Sequence, residues 1–146
     1  RHAFATLPSS PLSGSWYPST RFVCSSAEKY STPPSEISTI RGSEPRSNTA
    51  VTNVFQDRFA DALSLADQAL LGAVHRAEKI PQDKRINPEA MIKRIEDAGK
   101  QGRAFAQNSE LADYLENQLG DEPTLLVFFS NGSFDGVIDR VAKFAS

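Results

Sequence analysis

A chain of 146 residues with 39% hydrophobic and 23% charged side chains is long enough for one domain with a real core. Its net charge of −2 leaves no electrostatic footprint for nucleic acid, and no apolar run approaches the ~20 residues that a membrane span needs. The single cysteine, Cys24, excludes an internal disulfide and any multi-cysteine zinc site, which fits a reducing compartment such as the cytoplasm.

Residues 1–43 form a compositional zone of their own, with eleven serines, five prolines and four threonines. They hold two acids and four bases, leaving 16 of the 18 acids and 12 of the 16 bases for residues 44–146. No helical or alternating period survives prolines 8, 11, 18, 33 and 34, so an irregular arm is expected, tacked down by Trp16, Tyr17, Phe22 and Val23. The chain opens on Arg1, without the basic, apolar and small-residue order of a signal peptide, and reads as a piece of something longer.

Regular patterning begins after Glu44. Phe55, Phe59, Ala62, Leu63 and Ala66 recur at helical spacing and predict a helix from Asn53 to about Ala66. Residues 70–74 are a short apolar run, the sign of a strand buried on both faces. Asn87-Pro88-Glu89 combines a capping Asn, Pro at the first helical position and an acid at the positive dipole end. The helix it opens turns Met91, Ile92, Ile95 and Ala98 inward and stops at Gly99 or Gly102. Residues 103–106 are a weak strand, and Asn108-Ser109-Glu110 opens another helix, with Leu111, Tyr114, Leu115 and Leu119 on one side. Residues 124–129 are apolar throughout and predict a central strand. The last helix turns Phe134, Val137, Ile138, Val141 and Phe144 inward. Strands alternating with helices predict an α/β fold on a mostly parallel sheet, whose ligands bind at the carboxyl ends of strands.

Two turns fall at such ends. Ser130-Asn131-Gly132 points backbone amides outward at a helix start, which suits an anion, or it merely uses Asn-Gly for positive φ. In Glu44-Pro45-Arg46-Ser47-Asn48-Thr49, Arg46 is either a bidentate clamp for a carboxylate or phosphate, or an exposed loop arginine. His75 has no second His or Cys within ligand spacing, Arg76, Glu78 and Lys79 suit a solvated loop, and no P-loop or dinucleotide-binding glycine motif is present. No complete acid/base, nucleophile or metal set emerges, so no catalytic residue and no metal ligand is assigned.

From Glu44 onward the sequence resembles the C-terminal domain of Mur ligases. Three stretches carry the resemblance: residues 44–49, residues 55–67 and Ser130-Asn131-Gly132-Ser133-Phe134-Asp135-Gly136. It is most similar to the peptidoglycan-recycling branch, which joins L-alanyl-γ-D-glutamyl-meso-diaminopimelate to UDP-N-acetylmuramate. The resemblance implies a three-layer, Rossmann-like fold with helices on both faces of the sheet, in the last part of a bacterial, cytoplasmic enzyme. It implies ATP and magnesium as cofactors held mainly by other domains, with UDP-N-acetylmuramate and the murein tripeptide as partners. Neither nucleic acid nor a membrane is implied. Arg46, Ser47, Asn48, Thr49, Ser130, Asn131 and Gly132 would line the substrate cleft, and the fragment would be inactive alone. The alternatives are a non-catalytic α/β binding domain and a degenerate remnant.

Two departures stand out. Ser133 and Asp135 occupy positions where the family's pattern has glycine. Upstream, Ala3-Phe4-Ala5-Thr6-Leu7-Pro8 echoes only the ends of the family's F-A-H-H-P stretch, and residues 39–43 do not read as a buried strand. Correct spacing with foreign composition leads to the expectation that residues 5–43 are translated in a shifted reading frame.

Overall fold

The computed structural model describes residues 37–120 and 123–145, together with the pairing of two short strands, β1 (Ala3–Ala5) and β2 (Arg21–Cys24). After these come β3 (Ser38–Ser43), α1 (Gln56–Leu63), β4 (Gln68–Leu71), α2 (Pro88–Asp97), β5 (Gln101–Ala104), α3 (Asn108–Gln118), β6 (Thr124–Phe129) and α4 (Val137–Phe144). They build a six-stranded sheet in the order β1-β2-β6-β3-β4-β5. The four strands β6, β3, β4 and β5 are parallel, while β2 runs antiparallel to β6, and β1 to β2.

Helices cover both faces, which gives the three layers. On one side Ile40, Leu70, Leu126 and Phe128 meet Leu111 and Leu115 of α3 and Val137, Ile138 and Val141 of α4. On the other, Ala69 and Leu71 meet Ala60 and Leu63 of α1 and Met91 and Ile95 of α2. Surface ion pairs clip neighbouring helices together: Arg94 of α2 holds both carboxylate oxygens of Asp61 in α1 at 2.7 and 3.0 Å. That hydrogen bond keeps the Asp61 carboxyl below its ordinary range, yet both groups are exposed and such pairs contribute little. Among the described residues no helix is long and apolar enough to cross a membrane.

Most elements fall where periodicity puts them. The Asn87 side chain accepts the Ala90 N–H and caps α2, and β6 spans the residues its apolar run predicts. The helix expected over 53–66 is a 3-10 turn at Asn53–Phe55 followed by α1, which ends at Leu63. Two strands begin two residues early: the inner strand β4 is Gln68–Leu71 and the edge strand β5 is Gln101–Ala104. Phe144, expected inside, is half exposed at the last residue of α4.

The main correction concerns residues 38–43, expected to belong to an irregular arm. They form β3, hydrogen-bonded on both sides to parallel strands, so the ordered body begins before Glu44. Two complete ladders override a poor intrinsic preference, because strand preference is mostly a matter of neighbours. Gly42 contributes by having no side chain: a Cβ there would stand 2.9 Å from the Phe128 ring. Arg41 turns its guanidinium to the Ala62 carbonyl and over the Phe129 ring, 5.9 Å from its centroid, leaving a buried Nε without a partner. Beyond β1 and β2, the remainder of the expected arm, with Trp16 and Tyr17, lies outside the described residues.

Chain order creates one switch point. From β3 the parallel strands proceed outward through β4 to β5, and β6 then returns to the opposite side of β3. Connections therefore diverge at the carboxyl ends of β3 and β6, the place where sheets of this kind bind their ligands.

Candidate functional site at the sheet switch point

The register places Ser43 opposite Phe129, so the residues leaving β3 and β6 begin side by side. The Glu44 N–H donates to the Phe129 carbonyl at 3.1 Å and the His75 N–H donates to the Pro45 carbonyl at 3.0 Å. Backbone bonds thus join the ends of β3, β4 and β6, from which residues 44–49, 72–75 and 130–132 leave.

Glu44 is the centre of this junction, 5% exposed. Its Oε2 accepts the Ser130 hydroxyl at 2.7 Å and its Oε1 accepts the Asn108 side-chain amide at 3.0 Å. Arg46 Nη1 stands 3.7 Å from Oε2, an ion pair longer than a hydrogen bond. The Ser130 oxygen in turn accepts the Gly132 N–H at 3.1 Å, which shapes the turn. Asn108 also donates to Asp135 at 2.7 Å and accepts the Ala73 N–H at 2.8 Å. Glu44, Asn108 and Asp135 were not among the predicted site residues. The one signal for Glu44 was its place beside Arg46, and for Asn108 its helix-capping chemistry; neither foretells a shared hydrogen bond.

Arg46 lies against the β6 exit: a Cβ on Gly132 would stand 2.6 Å from Nη1. It also lines a cleft of about 470 Å³ with Asn48, His75, Arg76 and Lys79. Those walls carry cations and no acid, so the cleft favours an anion. Arg76 and Lys79, expected merely to solvate a loop, stand here because Arg76 adopts a left-handed φ of 52° that leads into the short 3-10 turn Ala77–Lys79.

The remaining predicted residues divide. Ser47 accepts the Ala50 N–H at 3.1 Å and Thr49 offers its carbonyl to the Thr52 hydroxyl at 2.9 Å, so both shape the turn. Together they face a separate, mainly apolar cleft of about 260 Å³ that includes Phe55 and Phe59. Asn131 is exposed at the turn's tip. The reading of Asn131-Gly132 as a device for positive φ does not hold. Positive values fall at Phe134 (54°), Asp135 (48°) and Gly136 (79°) instead. Asp135 thus takes a left-handed conformation where the family's pattern has glycine, which aspartate tolerates better than most residues. Phe134 accepts its strained backbone because its ring is fully buried, edge-on to Phe128 at 5.9 Å.

The contact between Arg46 and Gly132 yields a prediction. Gly132→Ala meets only the tip of a flexible side chain, so stability should stay within ~0.5 kcal/mol of the parent. Arg46 must move, however, and binding of any carboxylate it clamps should weaken several-fold. Unchanged binding, measured by titration calorimetry, would separate Arg46 from the turn.

No family model matches the sequence, and no curated protein matches it significantly. Among solved structures, a murein peptide ligase from Psychrobacter arcticus 273-4 is similar, with a TM-score of 0.54 at 19% identity. The similarity covers 76% of this chain and 22% of that protein, so this chain matches about a fifth of the ligase's length. A four-stranded parallel core with helices on both faces, matched at this level, establishes the architecture: the chain has a Mur ligase-like α/β fold.

Proposed function

We infer that this chain is the substrate-binding domain of an ATP-dependent ligase that joins L-alanyl-γ-D-glutamyl-meso-diaminopimelate to UDP-N-acetylmuramate in bacterial cell-wall recycling. The observation that carries this reading is Arg46, poised between a buried carboxylate and the Ser130–Gly132 turn at the switch point of a Mur ligase-like sheet. The peptide offers several carboxylates, and a guanidinium presents two parallel donors to one of them. Arg76 and Lys79 raise the local potential, Asn48 and His75 add polar contacts, and the Gly132 backbone approaches Arg46 closely because it lacks a side chain.

The reaction requires a carboxylate to be activated as an acyl phosphate, which ATP and magnesium supply in a full-length enzyme. Among the described residues no three His, Cys, Asp or Glu side chains gather as a metal site, and Glu44 and Asp135 both face the Asn108 amide. These residues do not fit magnesium. The role assigned to this chain is to bind and orient the incoming peptide, in the cytoplasm, while other domains hold nucleotide and metal. ATP-dependent ligation by the 146-residue chain alone would overturn that division.

The direct test is titration of the chain with the murein tripeptide. Arg46→Ala should weaken binding about ten- to a hundredfold, the equivalent of one charge-assisted pair at ~1.5–3 kcal/mol. Arg46→Lys should recover part of that, since it keeps the charge and loses the planar fork. Equal affinity in the alanine variant, or no tripeptide binding by the parent, would sink the reading.

Arg41 favours a second reading, that of a degenerate remnant. Strands buried on both faces of a parallel sheet are usually near-continuously apolar, yet β3 carries an arginine with an unpartnered buried Nε. A shifted reading frame over residues 5–43 accounts for the same observation. The coding sequence decides: a helix and an apolar strand in another frame, with an in-frame P-loop domain upstream, supports the ligase. Their absence supports the remnant.

A further inference from the structure

The geometry points to Asn108, at the first turn of α3, as the positioning residue of the Arg46 cleft: we propose that it keeps Arg46 available to a ligand by holding Glu44 back. The proposal rests on the reading of that cleft as a peptide-carboxylate site. Asn108 is 4% exposed and gathers all three strand exits. Its Oδ1 takes the Ala73 N–H after β4, and its Nδ2 donates to Glu44 after β3 and to Asp135 after β6. The amide orientation follows from these partners, because the reverse would set an NH2 group against the Ala73 N–H.

No other side chain of this size meets the demand. One acceptor and two donors on a planar group is the asparagine inventory. Aspartate lacks the donors and leucine lacks everything but shape. The two donors also separate two carboxylates that would otherwise face each other at close range. Space for this bridge is reserved by Gly72, whose missing Cβ would lie 2.5 Å from Oδ1.

The consequence for Arg46 follows from Glu44. Held by Asn108 on one oxygen and Ser130 on the other, the carboxylate stays 3.7 Å from Nη1, beyond hydrogen-bond length. Arg46 therefore retains donors for an incoming carboxylate. With aspartate in place of Asn108, like charge drives Glu44 away from its seat and toward the cation beside it, Arg46. A direct ion pair forms, and the ligand loses its clamp.

The experiment compares the parent, Asn108→Asp and the double variant Glu44→Gln/Asn108→Asp in the whole chain, using NMR signals of Arg46 Nε–Hε and the Gly132 amide. Each is titrated with the murein tripeptide well below its unfolding temperature. Asn108→Asp should weaken tripeptide binding about tenfold, which is ~1.4 kcal/mol. The double variant should regain affinity to within about threefold of the parent, since the introduced glutamine can donate to the introduced aspartate and no longer pairs with Arg46, while the exposed Asp135 can turn from the new carboxylate into solvent. A merely structural role would lower the unfolding temperature of both variants and leave affinity untouched. Parent-like affinity in Asn108→Asp, or no recovery in the double variant, overturns the proposal. If the parent itself ignores the tripeptide, the functional reading fails and the ligand-free signals decide. An Arg46 Nε–Hε resonance that shifts in Asn108→Asp and returns in the double variant upholds positioning, and one that stays put refutes it.

Discussion

Replacing Gly72 by alanine is expected to lower the unfolding free energy by about 3 kcal/mol, at the upper end of ordinary overpacking costs. The new methyl would stand 2.5 Å from Asn108 Oδ1 and 2.7 Å from the Phe134 ring. Neither neighbour can retreat. Asn108 is tied to three partners, and Phe134 is fully buried against Phe128. Displacing Phe134 would also disturb a backbone already held at positive φ through Phe134, Asp135 and Gly136. Urea denaturation should show a lower midpoint with an unchanged slope, because the surface exposed on unfolding is the same. A midpoint equal to the parent's would mean that the junction yields more easily than its hydrogen bonds suggest.

Glu44→Ala is expected to cost a similar amount, about 3 kcal/mol, for a different reason. The substitution removes acceptors from the Ser130 hydroxyl and from one Asn108 N–H, and strips Arg46 of its counter-charge. Buried donors left without partners carry their full desolvation cost, whereas a neutral hydrogen-bonding replacement keeps most of the network. Glu44→Gln should therefore lose only ~1 kcal/mol, its carbonyl accepting from Asn108 and its NH2 donating to Ser130. The difference between the two variants is the diagnostic quantity. Equal losses for alanine and glutamine would assign the stability to charge alone and not to the hydrogen-bond geometry around Asn108.

Several features of this protein were determined by sequence alone. The spacing of Phe59 and Leu63 specifies a helix, although Phe55 and Ala62, expected on the same face, are exposed, and Asn87-Pro88 specifies where the next one starts, because caps and helical spacing act over three or four residues. The apolar run 124–129 specifies a central strand, since it can be satisfied only by burial on both faces. Alternation of these elements implies parallel pairing, and parallel pairing puts residues 44–49 and 130–132 at the same edge.

Features whose partners lie far away in the chain depend on the assembled sheet. Residues 38–43 become a strand through ladders to β4 and β6, not through their own preferences, so a local reading leaves them irregular. Glu44, an ordinary loop acid in the sequence, is buried because Ser130 and Asn108, 86 and 64 positions away, complete its hydrogen bonds. Positive φ moves past Asn131-Gly132 to Phe134 and Asp135, because burying the Phe134 ring outweighs the backbone preference of the turn. Spacing in a sequence encodes short-range periodicity and caps; the convergence of three strand exits on one asparagine is set by the switch in strand order, which no local pattern contains.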